Sequence, residues 1–213
     1  MKQEYDYDFD FAITTHCQAK CRSCPRTNEN TGEVQSWLKV EHMPVEIFER
    51  VISSSHIVEK FGGKLTLCGE YGDPMMHPEI DRFLEIGTNK FKSVSINTNG
   101  GLRQPLWYEN AAQKYVNLGI DFAIDGLDHD TNWKYREGVN WQRAMDNMKS
   151  YRDNGGKAFW HFLIFEWNWH QLHNVEEMSK KLGIPVMYKI NRRAYGKVDE
   201  KHLPQIMEFL KSV

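Results

Sequence analysis

The sequence has no long hydrophobic run. None of its apolar stretches approaches the roughly 20 residues of a membrane-spanning helix, so no membrane-embedded helix is expected. It also lacks an excess of charge: 27 Lys and Arg stand against 29 Asp and Glu, a formal net charge of −2. No global field draws such a chain to nucleic acid or to an anionic membrane, although a local basic patch is compatible with it. Pro/Ser-rich linkers, low-complexity tracts and internal repeats are missing as well, and one domain over residues 1–213 is expected. Residues 1–10 are polar and acidic, unlike a secretory signal or a transit peptide, so the expected location is cytoplasmic. Cysteine is scarce, with four in 213 residues. A chain this long buries enough apolar surface to fold without disulfides, so the thiols are free for other chemistry.

What is present is an alternation of β-rich runs and amphipathic segments. Strands are expected over 8–15, 64–68, 93–98, 120–125, 157–165 and 185–190, and helices over 44–60, 78–89, 105–118, 140–154, 170–182 and 200–213. That makes six β/α units of about 35 residues each, a comfortable size for strand–crossover–strand connections. The alternation predicts a parallel sheet. Six units are too few for a closed eight-stranded barrel, which leaves an open partial barrel or a doubly wound sheet. In either, chemistry gathers at the carboxyl ends of the strands.

The informative residues all fall on that rim. Cys17, Cys21 and Cys24 follow the first strand with spacing Cys-x3-Cys-x2-Cys. Residues 69–74 follow the second strand, 97–100 the third and Asp125-Gly126 the fourth; Asn168 follows the fifth and Arg192-Arg193 the sixth. Three thiolates can hold three irons of a [4Fe–4S] cluster and leave the fourth iron without a protein ligand. The same triplet also suits a Cys3His zinc site with His16, His42 or His56 as the fourth ligand.

The triplet resembles the cluster motif of radical S-adenosylmethionine (SAM) enzymes. The resemblance extends along residues 8–140. Cys68-Gly69-Glu70-Tyr71-Gly72-Asp73-Pro74, followed by Met75-Met76-His77-Pro78, is similar to the family's Gly-Glu-Pro segment. Thr98-Asn99-Gly100 resembles the end of its third strand, and Ala123-Ile124-Asp125-Gly126 its Ser-x-Asp-Gly. Tyr135-Arg136 stands where the family often has a Tyr/Phe-Arg pair. The closest flavour is the peptide- and protein-modifying branch. These 213 residues hold no further cysteines for the auxiliary clusters that the branch carries in C-terminal domains.

The resemblance implies an open, TIM-like (β/α)6 partial barrel of parallel strands, with a [4Fe–4S] cluster and SAM as cofactors. Reductive cleavage of SAM would give a 5′-deoxyadenosyl radical that abstracts hydrogen from a substrate: a peptide, a protein or a small metabolite. An external one-electron reductant of the flavodoxin or ferredoxin kind is implied. Cys17, Cys21 and Cys24 would ligate the cluster; Gly72, Asp73 and Pro74 would hold the SAM ammonium. Asn97, Asn99 and Asp125 would take ribose or the SAM carboxylate, and Arg136 that carboxylate. Residues 164–168 and 190–192 would cradle adenine. The sequence departs from the family at Ser23, where an aromatic residue is usual, at Ala123 in place of Ser, and at Asp73 in place of Glu.

Other residues carry two readings each. Cys68 is either a small strand-end residue or a hydrogen-atom donor to a substrate radical. Phe165, Trp167 and Trp169 line a substrate mouth or pack as wall; His161, His170 and His173 read as surface or cap residues. Arg192 and Arg193, with Lys189 and Lys197, are a solvated loop or a site for an anionic substrate or acidic peptide. Two alternatives to the enzyme stand beside it: a non-catalytic iron–sulfur carrier or sensor, and a zinc-stabilised α/β binding module.

Overall fold

The computed structural model describes residues 8–54 and 63–213. The end of the first expected helix, residues 55–60, and also His56 and Gly62 lie outside the described residues. Six strands form one sheet: β1 Asp8–Phe11, β2 Lys64–Leu67, β3 Ser93–Thr98, β4 Leu118–Ala123, β5 Lys157–Ile164 and β6 Val186–Ile190. They lie in sequence order, and every neighbouring pair is parallel. Among the described residues β1 and β6 do not pair, so the barrel is open on that side.

Helices α1 Val45–Ile52, α2 Ile80–Lys90, α3 Pro105–Lys114, α5 Trp141–Asp153 and α6 Leu172–Leu182 occupy the five crossovers, and α7 Leu203–Ser212 follows the last strand. A short helix not expected from the sequence, α4 His129–Trp133, follows β4; Asp128 caps it by accepting from the Thr131 N–H.

Strand alternation sorts side chains onto two faces. Leu65, Ile96, Ile120, Phe122, Trp160 and Phe162 are fully buried against the helices, where they meet Phe48, Phe83, Tyr108 and Tyr151. The opposite, inner face is largely polar, with Phe159 as a large exception. Ser95 donates to Asp121 at 2.8 Å, and Asp121 pairs with His161 at 3.1 Å. His161, read from the sequence as a surface or cap residue, is therefore part of the barrel's inner wall.

Several expected boundaries shift for identifiable reasons. β1 stops at Phe11 because the chain leaves the sheet there and pairs with the segment before α1: Thr14 bridges His42, and Met43 N–H donates to Ile13 O. The expected helix 105–118 ends at Lys114, since Leu118 already belongs to β4 beside Val94. The fifth strand ends at Ile164, so the alternation expected to align Phe165, Trp167 and Trp169 fails. Phe165 and Trp167 stack on each other at 4.7 Å, while Trp169 stacks on His202 at 4.4 Å.

The two faces differ in what a truncation costs. Phe122→Ala empties a fully buried site and is expected to destabilise by about 3–5 kcal/mol, whereas Phe159→Ala, 37% exposed on the inner face, is expected to cost about 1 kcal/mol or less. Urea unfolding of the two variants measures the contrast; equal losses would refute the assignment of faces.

Candidate active site

A cavity of about 810 Å³ opens at the carboxyl ends of the strands. Ligand sites fall in the range of about 300–1,000 Å³. Cys17, Cys21 and Cys24 line it, together with Cys68, Gly72, Asn97 and Arg136. All four cysteines are free thiols.

The cysteine loop is irregular and is held from both sides. On one side Asp73 N–H donates to His16 O at 2.8 Å. Gly72 lies directly under the loop, and a Cβ there would stand 2.3 Å from Thr14 O, so only glycine fits. On the other side Lys20 N–H donates to Glu137 O at 2.8 Å. Gly138, at φ +89°, brings its backbone against Gln18, where a Cβ would be 2.7 Å from the Gln18 carbonyl oxygen. Arg26 Nε bonds Thr15 O at 3.0 Å within the loop.

Burial pushes the Cys17 thiol up to about 12, with the nearby Asp73 carboxylate adding to the effect. Burial likewise pushes Cys21 up to about 11, against the pull of the Arg136 guanidinium. These thiols stay protonated until a cation takes the place of the proton, which is how iron–thiolate bonds form. Ala19 N–H donates to Cys17 Sγ at 3.4 Å, and the Asn99 amide lies 3.8 Å from the same sulfur.

The residues therefore fit a [4Fe–4S] cluster. Among the described residues no three His, Cys, Asp or Glu side chains converge as tightly as a single metal ion requires. The thiols instead share one wall of a large cavity, an arrangement suited to a group larger than an ion. Ser23 Oγ, buried within the same loop, has no protein partner. Of the histidines considered for zinc, the two among the described residues are engaged elsewhere: His16 stacks on His42 at 4.1 Å, and Thr14 Oγ1 lies 2.9 Å from His42 Nδ1.

The two aspartates of the rim are bracing groups. Asp73 is buried, and its carboxylate accepts from Met75 N–H at 3.0 Å, Asn99 N–H at 2.9 Å and the Thr98 hydroxyl at 3.0 Å. Asp125 is fully buried behind the cavity wall. It accepts from Arg136 Nε and from Leu163 N–H, each at 2.7 Å. Burial raises both carboxyls, and Arg136 opposes the rise most strongly at Asp125. Pro74 is also buried, starting the short 3-10 turn Pro74–Met76. Asn99 exchanges hydrogen bonds with Gln18, so its side chain fixes the cysteine loop. Asn97 and Arg136 face the cavity. Ala123 does too, without a hydroxyl.

Some residues that shape the cysteine loop carried little sequence signal. Gln18 sits in the cysteine loop without belonging to the motif. Gly138 is legible only as a glycine two residues after Arg136. Phe165 and Trp167 do not line the cavity; they pack beneath Gly196.

The sequence matches the family model of the Radical SAM superfamily over residues 11–178. It is 21% identical over 196 residues to the S-adenosyl-L-methionine-dependent tRNA 4-demethylwyosine synthase TYW1 of Xenopus laevis, covering 84% of this chain and 26% of that protein. It is 22% identical over 180 residues to the antilisterial bacteriocin subtilosin biosynthesis protein AlbA of Bacillus subtilis (strain 168), covering 81% and 36%. The structure superposes on Streptococcus suis SuiB bound to S-adenosylmethionine with TM-score 0.75, 18% identity, and coverage of 98% of this chain and 48% of that one. SuiB bound to its precursor peptide SuiA gives TM-score 0.77 at 18% identity, with coverage of 98% and 46%. The chain thus spans less than half the length of each of these relatives.

Two variants test this anatomy. Gly72→Ala is expected to fold, with unchanged far-ultraviolet circular dichroism, but to take up well under half of the about four irons per chain that anaerobic reconstitution gives the parent. Gly119→Ala, whose Cβ would meet its nearest neighbour at an ordinary 3.5 Å, is the control and keeps full uptake. Full uptake by Gly72→Ala would show that the close contact is dispensable. In the second test, Arg136→Met strands the Asp125 carboxylate and is expected to cost about 3–5 kcal/mol in urea unfolding of the metal-free protein. The double variant Asp125→Asn/Arg136→Met recovers much of that loss if the pair acts as a unit; additive losses would mean that it does not.

Proposed function

This chain belongs to the radical SAM superfamily, a family of enzymes, and from that premise we propose that it cleaves SAM reductively and directs the product radical at a substrate C–H bond. The observation that carries the proposal is the shared cavity. It joins the three free thiols of the Cys-x3-Cys-x2-Cys loop to the strand-end residues that resemble the family's SAM motifs. When bound, the [4Fe–4S] cluster and SAM supply a 5′-deoxyadenosyl radical that removes a hydrogen atom from the substrate.

The chain's own residues bind, orient and exclude water. In this reading Cys17, Cys21 and Cys24 hold the cluster and leave one iron open. Arg136, beside Cys21, answers the negative charge gathered there and offers the rest of its guanidinium to the SAM carboxylate. The turn of Gly72, Asp73 and Pro74 receives the SAM ammonium through its backbone carbonyls, with Asp73 holding the turn. Asn97 offers its amide to the ribose hydroxyls, with Asn99 beside it. Asp125 acts through Arg136 as a positioning residue. Ile190 and Asn191, which line the cavity, border the adenine, with Ser23 leaving that contact to them; residues 164–168 do not reach it. Cys68 lines the same cavity and is offered as a hydrogen-atom donor.

We take residues 1–213 as one radical SAM core domain, working in the cytoplasm with a flavodoxin- or ferredoxin-like reductant. No helix among the described residues is long and apolar enough to cross a membrane. A peptide or protein substrate is favoured, in keeping with SuiB, whose structure holds a precursor peptide on this fold; a small metabolite is the alternative.

The test is anaerobic. The protein is reconstituted with iron and sulfide, reduced with dithionite and given SAM, and 5′-deoxyadenosine is measured by chromatography. The parent is expected to form it, and Cys17→Ala, Cys21→Ala and Cys24→Ala to lose it by at least about 100-fold. A protein that takes up iron yet never forms 5′-deoxyadenosine would be a carrier or sensor, and one that binds only zinc would be a structural module.

A further inference from the structure

The cavity has a wall that the SAM reading does not use. Lys189 on β6, and Arg192 and Arg193 just after it, line the cavity that the cysteines line. All three are exposed. Among the described residues none pairs with their side chains or accepts a hydrogen bond from them. The other two cations of the lining are already engaged, Arg26 with Thr15 O and Arg136 with Asp125. The lining's acids are Glu70, at the cysteine side where Cys24 Sγ lies 3.8 Å from its carbonyl, and the fully bonded Asp73.

The segment that carries the arginines is built, not loose. Asn191 is buried, and its amide donates to Tyr195 O at 2.8 Å and Arg193 O at 3.3 Å, while its Oδ1 accepts from Arg193 N–H at 3.2 Å. Its own N–H ties it to Ile164 O at 2.9 Å. Gly196, at φ +67°, seats the segment on the Trp167 ring so closely that a Cβ would stand 2.2 Å from it. Tyr195 donates to Lys134 O at 2.8 Å, and the Arg22 guanidinium of the cysteine loop lies 5.5 Å over the Tyr195 ring. The segment is thus latched across the open side of the barrel to the loop that carries the thiols. Guanidinium groups on a fixed backbone have only their side chains to order when they bind an oxyanion.

We propose that Lys189, Arg192 and Arg193 form an oxyanion-recognition wall, and that the substrate enters this cavity with a carboxylate or phosphate group set against it. The proposal rests on the reading of the cavity as the site of a SAM-dependent reaction, and it adds the chemical class of what the site accepts.

The reconstituted, SAM-loaded protein is titrated calorimetrically with tetraglutamate and, separately, with inorganic phosphate, at low and at high salt. The parent is expected to bind one of the two in a salt-sensitive manner, and which one it binds identifies the anion. Arg192→Gln/Arg193→Gln is expected to weaken that binding by at least about ten-fold, with Arg192→Lys/Arg193→Lys restoring part of it. SAM affinity stays within about two-fold. Arg143→Gln, which removes an exposed arginine on α5, leaves both affinities unchanged. Three results would overturn the proposal: no arginine-dependent binding of either probe, an equal loss in Arg143→Gln, or a parallel loss of SAM affinity, which would assign the arginines to SAM. The readout is independent of turnover. Arginine-dependent anion binding without any SAM cleavage would retain the wall and reject the proposed function; SAM cleavage without anion binding would do the reverse.

Discussion

The placement of the thiols depends on a steric constraint, the contact of two backbones at Gly72. The cysteine loop has no regular secondary structure to fix it, and three of its side chains line one cavity. A strand or helix would set their spacing by its own geometry. Here the spacing is set from outside, by Gly72 pressed under Thr14 and His16 and by Gly138 pressed against Gln18. Glycine is needed at both places because the neighbour is a carbonyl oxygen, which cannot swing aside as a flexible side chain would. Backbone hydrogen bonds at Asp73 and Lys20 then lock each contact.

Those two glycines belong to turns that are themselves braced by buried acids. Asp73 gathers the ends of β2 and β3 by accepting from Met75, Thr98 and Asn99. Asp125 gathers β4 and β5 with Arg136 by accepting from Leu163 and the guanidinium. Burial disfavours a lone carboxylate, and each is retained because several donors converge on it. A motif whose acid is read as a ligand thus also has a second physical role, as the crosslink that gives the rim its shape. The shorter Asp73, in place of the family's Glu, is consistent with such a role, since it closes its bonds within two residues on one side and at the next strand end on the other.

The fold was legible because its signals are local and repeated. β3 was readable to the residue, from an alternating run bounded by turn residues, and the six-unit rhythm follows from the same kind of pattern. The errors occur where a nonlocal partner decides. β1 stops early because residues 13–15 find the segment at 41–43, and no propensity of Ile13 or Thr14 announces that pairing. At the site, spacing alone singled out three thiols that prove to line one cavity. The division of labour around them was not legible: Asn99 lines the cavity while bonded to Gln18, and Asp125 lies behind its wall bonded to Arg136. Gln18 itself has no signature, since an amide in a loop has many uses.

Electrostatics links the two halves of the cavity. Burial makes Cys17 and Cys21 poor thiolates, so binding of a metal there would be coupled to loss of their protons; Arg26 is the cation that acts on Cys17 and Arg136 the one that acts on Cys21. That guanidinium is held by Asp125, which limits how much positive charge it lends outward. A substrate anion arriving in the same cavity would find Arg136 already committed to Asp125 and, in the proposed reading, to the SAM carboxylate. It needs cations of its own, placed away from the sulfurs and free of acidic partners. The latched segment after β6 supplies that arrangement. It lies at the opposite edge of the sheet from β1, yet it is tied to the cysteine loop through Tyr195 and Arg22. The open side of the barrel thereby becomes a polarised entrance, with the thiols on one wall and the unpaired arginines on the other.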